Sequence, residues 1–142
     1  MKNFLAALLF STALLSAQSV KHIHRIYVNE MHFPSNPDWD GIVRSKLISS
    51  LVKDCGSGCT VIEENGDNAE DMADGVLTGA MVIQTDNGRY RVQGAMRLVA
   101  KDGSVVWADT VYSSPFAHSA STSFADNTAK RLTTFLAQAK VQ

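Results

Sequence analysis

Hydrophobic and polar positions change period several times along the chain, and each change predicts an element. Residues 21–31, KHIHRIYVNEM, set β-branched and aromatic residues in partial alternation, which predicts a first strand. The loop HFPSNPD follows, and its two prolines exclude continuation as a helix or a central strand. Asp38 then suits the cap of a helix over residues 39–54, where Trp39, Ile42, Val43, Leu47, Ile48, Leu51 and Val52 recur at three- and four-residue steps. Gly56 is placed to end that helix, and residues 60–63 read as a short strand. The pattern next turns to alternation. GVLTGAMVIQT, RYRVQGAMRLVA and SVVWADTVYS are joined by Asp86-Asn87-Gly88 and by Lys101-Asp102-Gly103, and Asn-Gly and Asp-Gly tolerate the positive φ of tight hairpins. These three segments predict an antiparallel meander. Residues 122–139 return to the helical period, with Phe124, Thr128, Leu132, Phe135, Leu136 and Ala139 on one stripe.

The order is therefore β-α-β-β-β-β-α, an α/β (α+β) fold. It predicts a single mixed sheet ending in a three-strand meander, with two helices on one face. Within the middle meander strand Tyr90, Val92, Met96 and Leu98 share one side, while Arg91, Gln93 and Arg97 share the other. One face is buried and one is left to solvent or a partner.

The amino-terminal residues 1–19 stand apart from this pattern. Lys2 precedes an apolar run from Phe4 to Leu15, broken only by Ser11 and Thr12, and small residues follow. That is the layout of a secretory signal peptide, with cleavage after Ala17 or after Ser19. The run is about 12 residues, short of the roughly 20 that span a bilayer. No Cys lies near the cut, so lipid attachment at that point is not expected. Residues 20–142 then form one domain, exported to the periplasm or the medium, with no transmembrane segment in the mature chain.

Cys55 and Cys59, separated by Gly56-Ser57-Gly58, agree with export, since in an oxidising compartment they pair with each other. A redox-active motif has two intervening residues ahead of a helix; here there are three, and they follow one. Thirteen Lys+Arg against fourteen Asp+Glu give a net charge of −1, with no basic block. Nucleic acid is excluded as a partner on that ground, because phosphate binding needs concentrated positive charge. Six of the acids, Glu63, Glu64, Asp67, Glu70, Asp71 and Asp74, crowd into residues 63–74. Their spacing does not fit an EF-hand and reads as a solvated acidic loop.

Candidate chemistry is sparse. His118 lies in the Ser-rich SPFAHSAS, yet no Gly-x-Ser-x-Gly elbow supports hydrolysis. His22 and His24 are two apart on the expected first strand and point to one side; His32 lies towards its far end. Cleavage after Ser19 would place His22 third from a free amine, a set of nitrogens that can wrap Cu(II) or Ni(II). The fuller expectation is a protein with no catalytic residues, no cofactor and no metal. Arg89, Arg91, Gln93 and Arg97 on the meander form a candidate partner face, since planar guanidinium groups anchor interfaces. The same arginines equally serve to keep an exposed sheet soluble.

A resemblance narrows the class. Ala73-Asp74-Gly75-Val76-Leu77-Thr78-Gly79, the Arg-Tyr-Arg-Val strand, Arg97-Leu98-Val99 and Asp102-Gly103-Ser104-Val105-Val106-Trp107 resemble a recurring pattern of bacterial envelope domains. It is similar to the amino-terminal domain of TolB, to the curli-secretion protein CsgG and to small penicillin-binding-protein activator lipoproteins, over about residues 21–139. The chain lacks the lipidated Cys, the propeller domain and the pore-forming hairpins of those proteins. What the resemblance implies is a non-enzymatic accessory or assembly module that binds another envelope protein or itself. The rival classes are a periplasmic Cu/Ni-binding protein and a small hydrolase.

Overall fold

The computed structural model describes residues 20–63, 66, 68–115 and 117–141. The expected signal peptide lies outside the described residues, as do Glu64 and Asp67 of the acidic segment. Strand β1 (Arg25–Val28) runs parallel to both of its neighbours, β2 (Thr60–Ile62) and β3 (Gly75–Asp86). Strands β3, β4 (Arg89–Ala100) and β5 (Val105–Tyr112) form the antiparallel meander, so the sheet order is β2-β1-β3-β4-β5. Helix α1 (Asp38–Cys55) connects β1 to β2, and α2 (Ala120–Val141) closes the chain. This is the mixed sheet with two helices that the hydrophobic pattern predicts.

The meander follows its turn chemistry. Asn87 and Gly88 take φ of 49° and 75° at the β3–β4 tip, and Gly103 takes 89° in the next turn. Every second residue then faces the helices: Leu77 and Met81 on β3, Val92, Met96 and Leu98 on β4, and Val111 on β5 are all buried. Ile26, Val28 and Val61 continue that layer across β1 and β2, and Val43, Leu47, Leu51, Phe124 and Leu132 fill it from the helices. The two helices pack against each other as well as on the sheet.

Two glycines of the meander are closely approached, Gly79 by the flexible Met96 thioether and Gly94 by a rigid ring. Gly94 sits in the middle of β4 beneath Phe124, and a Cβ there would lie 2.5 Å from the Phe124 Cζ and 2.9 Å from the Met81 Cγ. The ring thus rests on bare backbone.

Four local expectations need correction. The first strand occupies 25–28 rather than 21–31. Asp74 Oδ2 accepts the N–H groups of His24 and Arg25 at its start, and the chain leaves the ladder after Val28 to rejoin it at His32, which bridges Ala80. Asp38 is inside α1 and does not cap it. The flanking residue is Pro37, whose φ of −58° is already helical, and Asp38 and Asp40 instead place negative charge in the first turn. Ile42 and Val52 stay on the exposed side of α1, which buries only Val43, Leu47, Leu51 and Cys55. Helix α2 begins earlier and ends later than residues 122–139.

Cys55 and Cys59 form a disulfide with Cα atoms 5.0 Å apart. Closing so short a loop contributes roughly 2 kcal/mol on the chain-entropy view. Lys140, near the end of α2, donates to the Gly58 carbonyl in the same turn, so the staple also tethers the last helix. Among the described residues no helix is long and apolar enough to cross a membrane.

Two predictions follow from these contacts. Gly94→Ala forces Phe124 and Met81 aside, and overpacking of this kind costs about 1–3 kcal/mol; urea unfolding should show the midpoint fall with the slope unchanged. Asp74 is the second. Burial works to raise its pKa, but the N–H groups of Arg25 and His24 and the Arg25 guanidinium outweigh it and hold the carboxyl below its usual 3.8. A lowered folded pKa adds stability above the unfolded value and loses it as pH falls through the folded one. Asp74→Asn should therefore destabilise the protein at neutral pH and flatten the acid limb of a melting-temperature profile below about pH 4.

Candidate interaction surface

With both helices on one side, the opposite side of the sheet is described residue by residue through the register. Val76, Val99 and Val105 form one row across β3, β4 and β5; Thr78, Arg97 and Ala108 form the next. Ala80, Ala95 and Thr110 follow, then Val82, Gln93 and Tyr112, then Gln84 and Arg91, and finally Arg89 at the hairpin. His32 extends the Ala80 row from the other side, because the flanking Met31 and Phe33 point into the core. The centre of the face is small and apolar. Its larger apolar groups are uncovered, with Val82 51% and Tyr112 52% exposed.

The arginines of the candidate partner face all lie on the outward positions of β4, as the alternation requires. Arg97 and Arg89 are exposed, while Arg91 and Gln93 are half-buried among their neighbours. Among the described residues none of the three arginines has an ion pair; the two pairs that do form are Arg25–Asp74 and Arg131–Asp109, at 3.7 and 2.5 Å. The cross-strand neighbours of Arg91 and Arg97 are Gln84, Thr78 and Ala108, all uncharged. Arg89 differs from the other two, since at the hairpin tip it also borders a cleft of about 420 Å³ with Trp39, Tyr90, His118 and Ser119. There Tyr90, 60% exposed, meets Trp39 edge to face at 5.9 Å.

The acidic connection from β2 to β3 crosses β1 on this same open side. Glu70, Asp71 and Ala73 line a cleft of about 310 Å³ together with Val76, Thr78 and Val99 of the sheet. Lys101 Nζ donates to the Asp71 carbonyl at 3.4 Å and holds the connection against the β4–β5 turn. Glu63, Glu70 and Asp71 are exposed. Asp74 differs from these three, being drawn into the fold by Arg25 and His24.

The histidines do not converge. His22, His24, His32 and His118 are each exposed, and no group of three metal-ligating side chains occurs among the described residues. Val20 is buried and its carbonyl accepts the Ile23 N–H at 3.2 Å, so wrapping residues 20–22 around Cu(II) would have to draw Val20 out of the core. Near His118, the Ser119 and Ser121 hydroxyls turn to Lys46 Nζ at 3.3 and 2.8 Å, and among the described residues neither bonds to the imidazole. A nucleophile–base pair needs that contact.

Solved structures share this arrangement. The chain is similar to the PelC dodecamer from Paraburkholderia phytofirmans, at 24% identity and a TM-score of 0.57, over 77% of this chain and 86% of that one. A point-substituted PelC dodecamer from the same organism matches at 22% identity and a TM-score of 0.58, over 78% and 86%. The fold is that of PelC. No protein-family model matches the chain, and no curated protein matches it.

Two parts of the surface escape a reading of the sequence. The crossing of the acidic connection over the open face depends on sheet order, which no local pattern carries. Ala108, Thr110 and Tyr112 were within reach, because the alternation of β5 puts them opposite the buried Val111. The outward position of Arg91 and Arg97 generates a prediction. With no ion pair among the described residues, Arg91→Glu and Arg97→Glu should each change unfolding free energy by no more than about 0.5 kcal/mol, as read by thermal or urea melts.

Proposed function

We propose that this protein is an exported, non-enzymatic module of the bacterial cell envelope that works by binding protein, as an assembly or accessory part. The observation that carries the reading is the open sheet face, with Val82 and Tyr112 about half exposed beside Arg91 and Arg97, which form no ion pair among the described residues. A monomer gains nothing from leaving large apolar groups and planar cations together in water, whereas an interface uses both. The similar structures agree with this reading, since both are PelC dodecamers. The TolB- and CsgG-like motifs and the signal-peptide layout of residues 1–19 support the envelope as the address.

The test is crosslinking in the native host with a carboxy-terminally tagged copy, followed by capture from periplasmic and membrane fractions. One abundant and reproducible crosslinked species is the expected result. A tagged protein recovered only from the cytosol, or only as an uncrosslinked monomer, overturns the proposal.

A further inference from the structure

We propose that the occupant of the open face is a second copy of this chain, with Arg91 and Arg97 of one copy paired to the acidic β2–β3 connection of another. This rests on the protein-binding reading above and names the partner.

The first argument is charge. Arg91 and Arg97 stand six residues apart on β4, about 20 Å along the strand. Their cross-strand neighbours carry no charge, and neither has an ion pair among the described residues. The opposite charge is concentrated elsewhere in the same chain, because six of its fourteen acids fall within residues 63–74. Of these, Glu63, Glu70 and Asp71 are exposed and free of ion pairs among the described residues. A net charge of −1 means that identical copies approach without appreciable repulsion, while the two patches attract.

Position is the second argument. The acidic connection lies at the Gly75–Ala100 end of the open face, and Arg91 lies near the Asp86–Arg89 end. Within one copy Arg91 and the connection are separated by most of the length of β3, so Arg91 is out of reach of its own acidic segment. Between copies nothing separates them. Arg97, opposite the Thr78 that lines the acidic cleft, stands at the acidic end and adds to the contact from there. The small residues Ala80, Ala95 and Thr110 make the centre of the face flat, which lets a second surface come close to the backbone there.

Area decides how such a contact behaves. Three strands, each contributing about seven residues, present on the order of 350 Å². A stable interface buries roughly 800 Å² per partner. The flat patch is insufficient by itself, so the charged segment has to contribute, and association should weaken as salt screens it.

The experiment uses the purified mature chain, with mass measured by analytical ultracentrifugation across protein concentration at low and high salt. Wild type should associate and should dissociate more readily at high salt. Arg91→Glu/Arg97→Glu and, separately, Glu70→Lys/Asp71→Lys should each weaken self-association at least tenfold while melting like wild type. An equimolar mixture of the two variants should associate again, because each supplies the charge that the other lacks. Should a reversed variant fail to fold, Arg91→Gln/Arg97→Gln tests the same contact by removing charge alone, with a smaller loss expected. A wild type that stays monomeric at its highest soluble concentration overturns the inference. So do reversed variants that associate undiminished, or folded variants whose mixture stays monomeric. If the wild type is monomeric and yet crosslinks to a different envelope protein in cells, the pairing of copies fails while the binding-module reading stands.

Discussion

The ring of Phe124 resting on the backbone of Gly94 is the contact from which the rest of the architecture follows. It brings α2 down onto the centre of the meander, where any β-carbon would hold it off. Helix α1 reaches the same side as the connection between β1 and its parallel neighbour β2, and it packs against α2 once there. A single core then forms between one helical layer and one side of the sheet, from Ile23 and Ile26 to Leu132 and Leu136. Among the described residues, α1 and α2 are the helices that cover the five-stranded sheet. Having both on one side leaves the other bare.

That bare side is built differently from the core side of the same strands. Inward positions carry Leu, Met and Val at close packing, whereas outward ones carry Ala, Thr, Gln and Arg between a row of Val76, Val99 and Val105 at one end and Val82 and Tyr112 towards the other. Stability resides in the first set. Among the described residues the outward arginines of β4 form no ion pair, so they add little to folding there. The charged groups that do stabilise the fold are elsewhere: Asp74 fastens the start of β1 to β3, Arg131 joins α2 to Asp109 on β5, and Lys46 gathers the hydroxyls at the start of α2. Structural charge and surface charge are thus separated along the chain.

Similarity to PelC at this level of identity speaks for the fold. The surface argument stands on this chain's own residues. A flat sheet face with Arg91 towards its hairpin end and the acidic connection at the other makes a molecule with two poles on one side. Molecules with such poles bind each other or a third party bearing one of them, and the salt dependence of binding is where the two differ from an apolar contact.

How much of this was legible beforehand depends on the range of the forces involved. Alternation and tight-turn residues determine the meander almost to the residue, because the side-chain period of a strand and the positive φ at Asn87 and Gly88 are local properties. The same holds for the spacing of Leu47, Leu51, Phe124 and Leu132, for the Cys55–Cys59 pairing, and for which residues of β4 face away from the core. What the tertiary structure alone decided is long-range. The short extent of β1 depends on a carboxylate 49 residues away, and the close approach at Gly94 depends on a ring that arrives with the last helix. The start of α1 at Asp38 lies between these cases, since Pro37 set it and the neighbouring acid drew attention to itself. The meeting of acidic connection and open face follows from β3 pairing beside β1 rather than beside β2, a choice made by the burial of whole strands together.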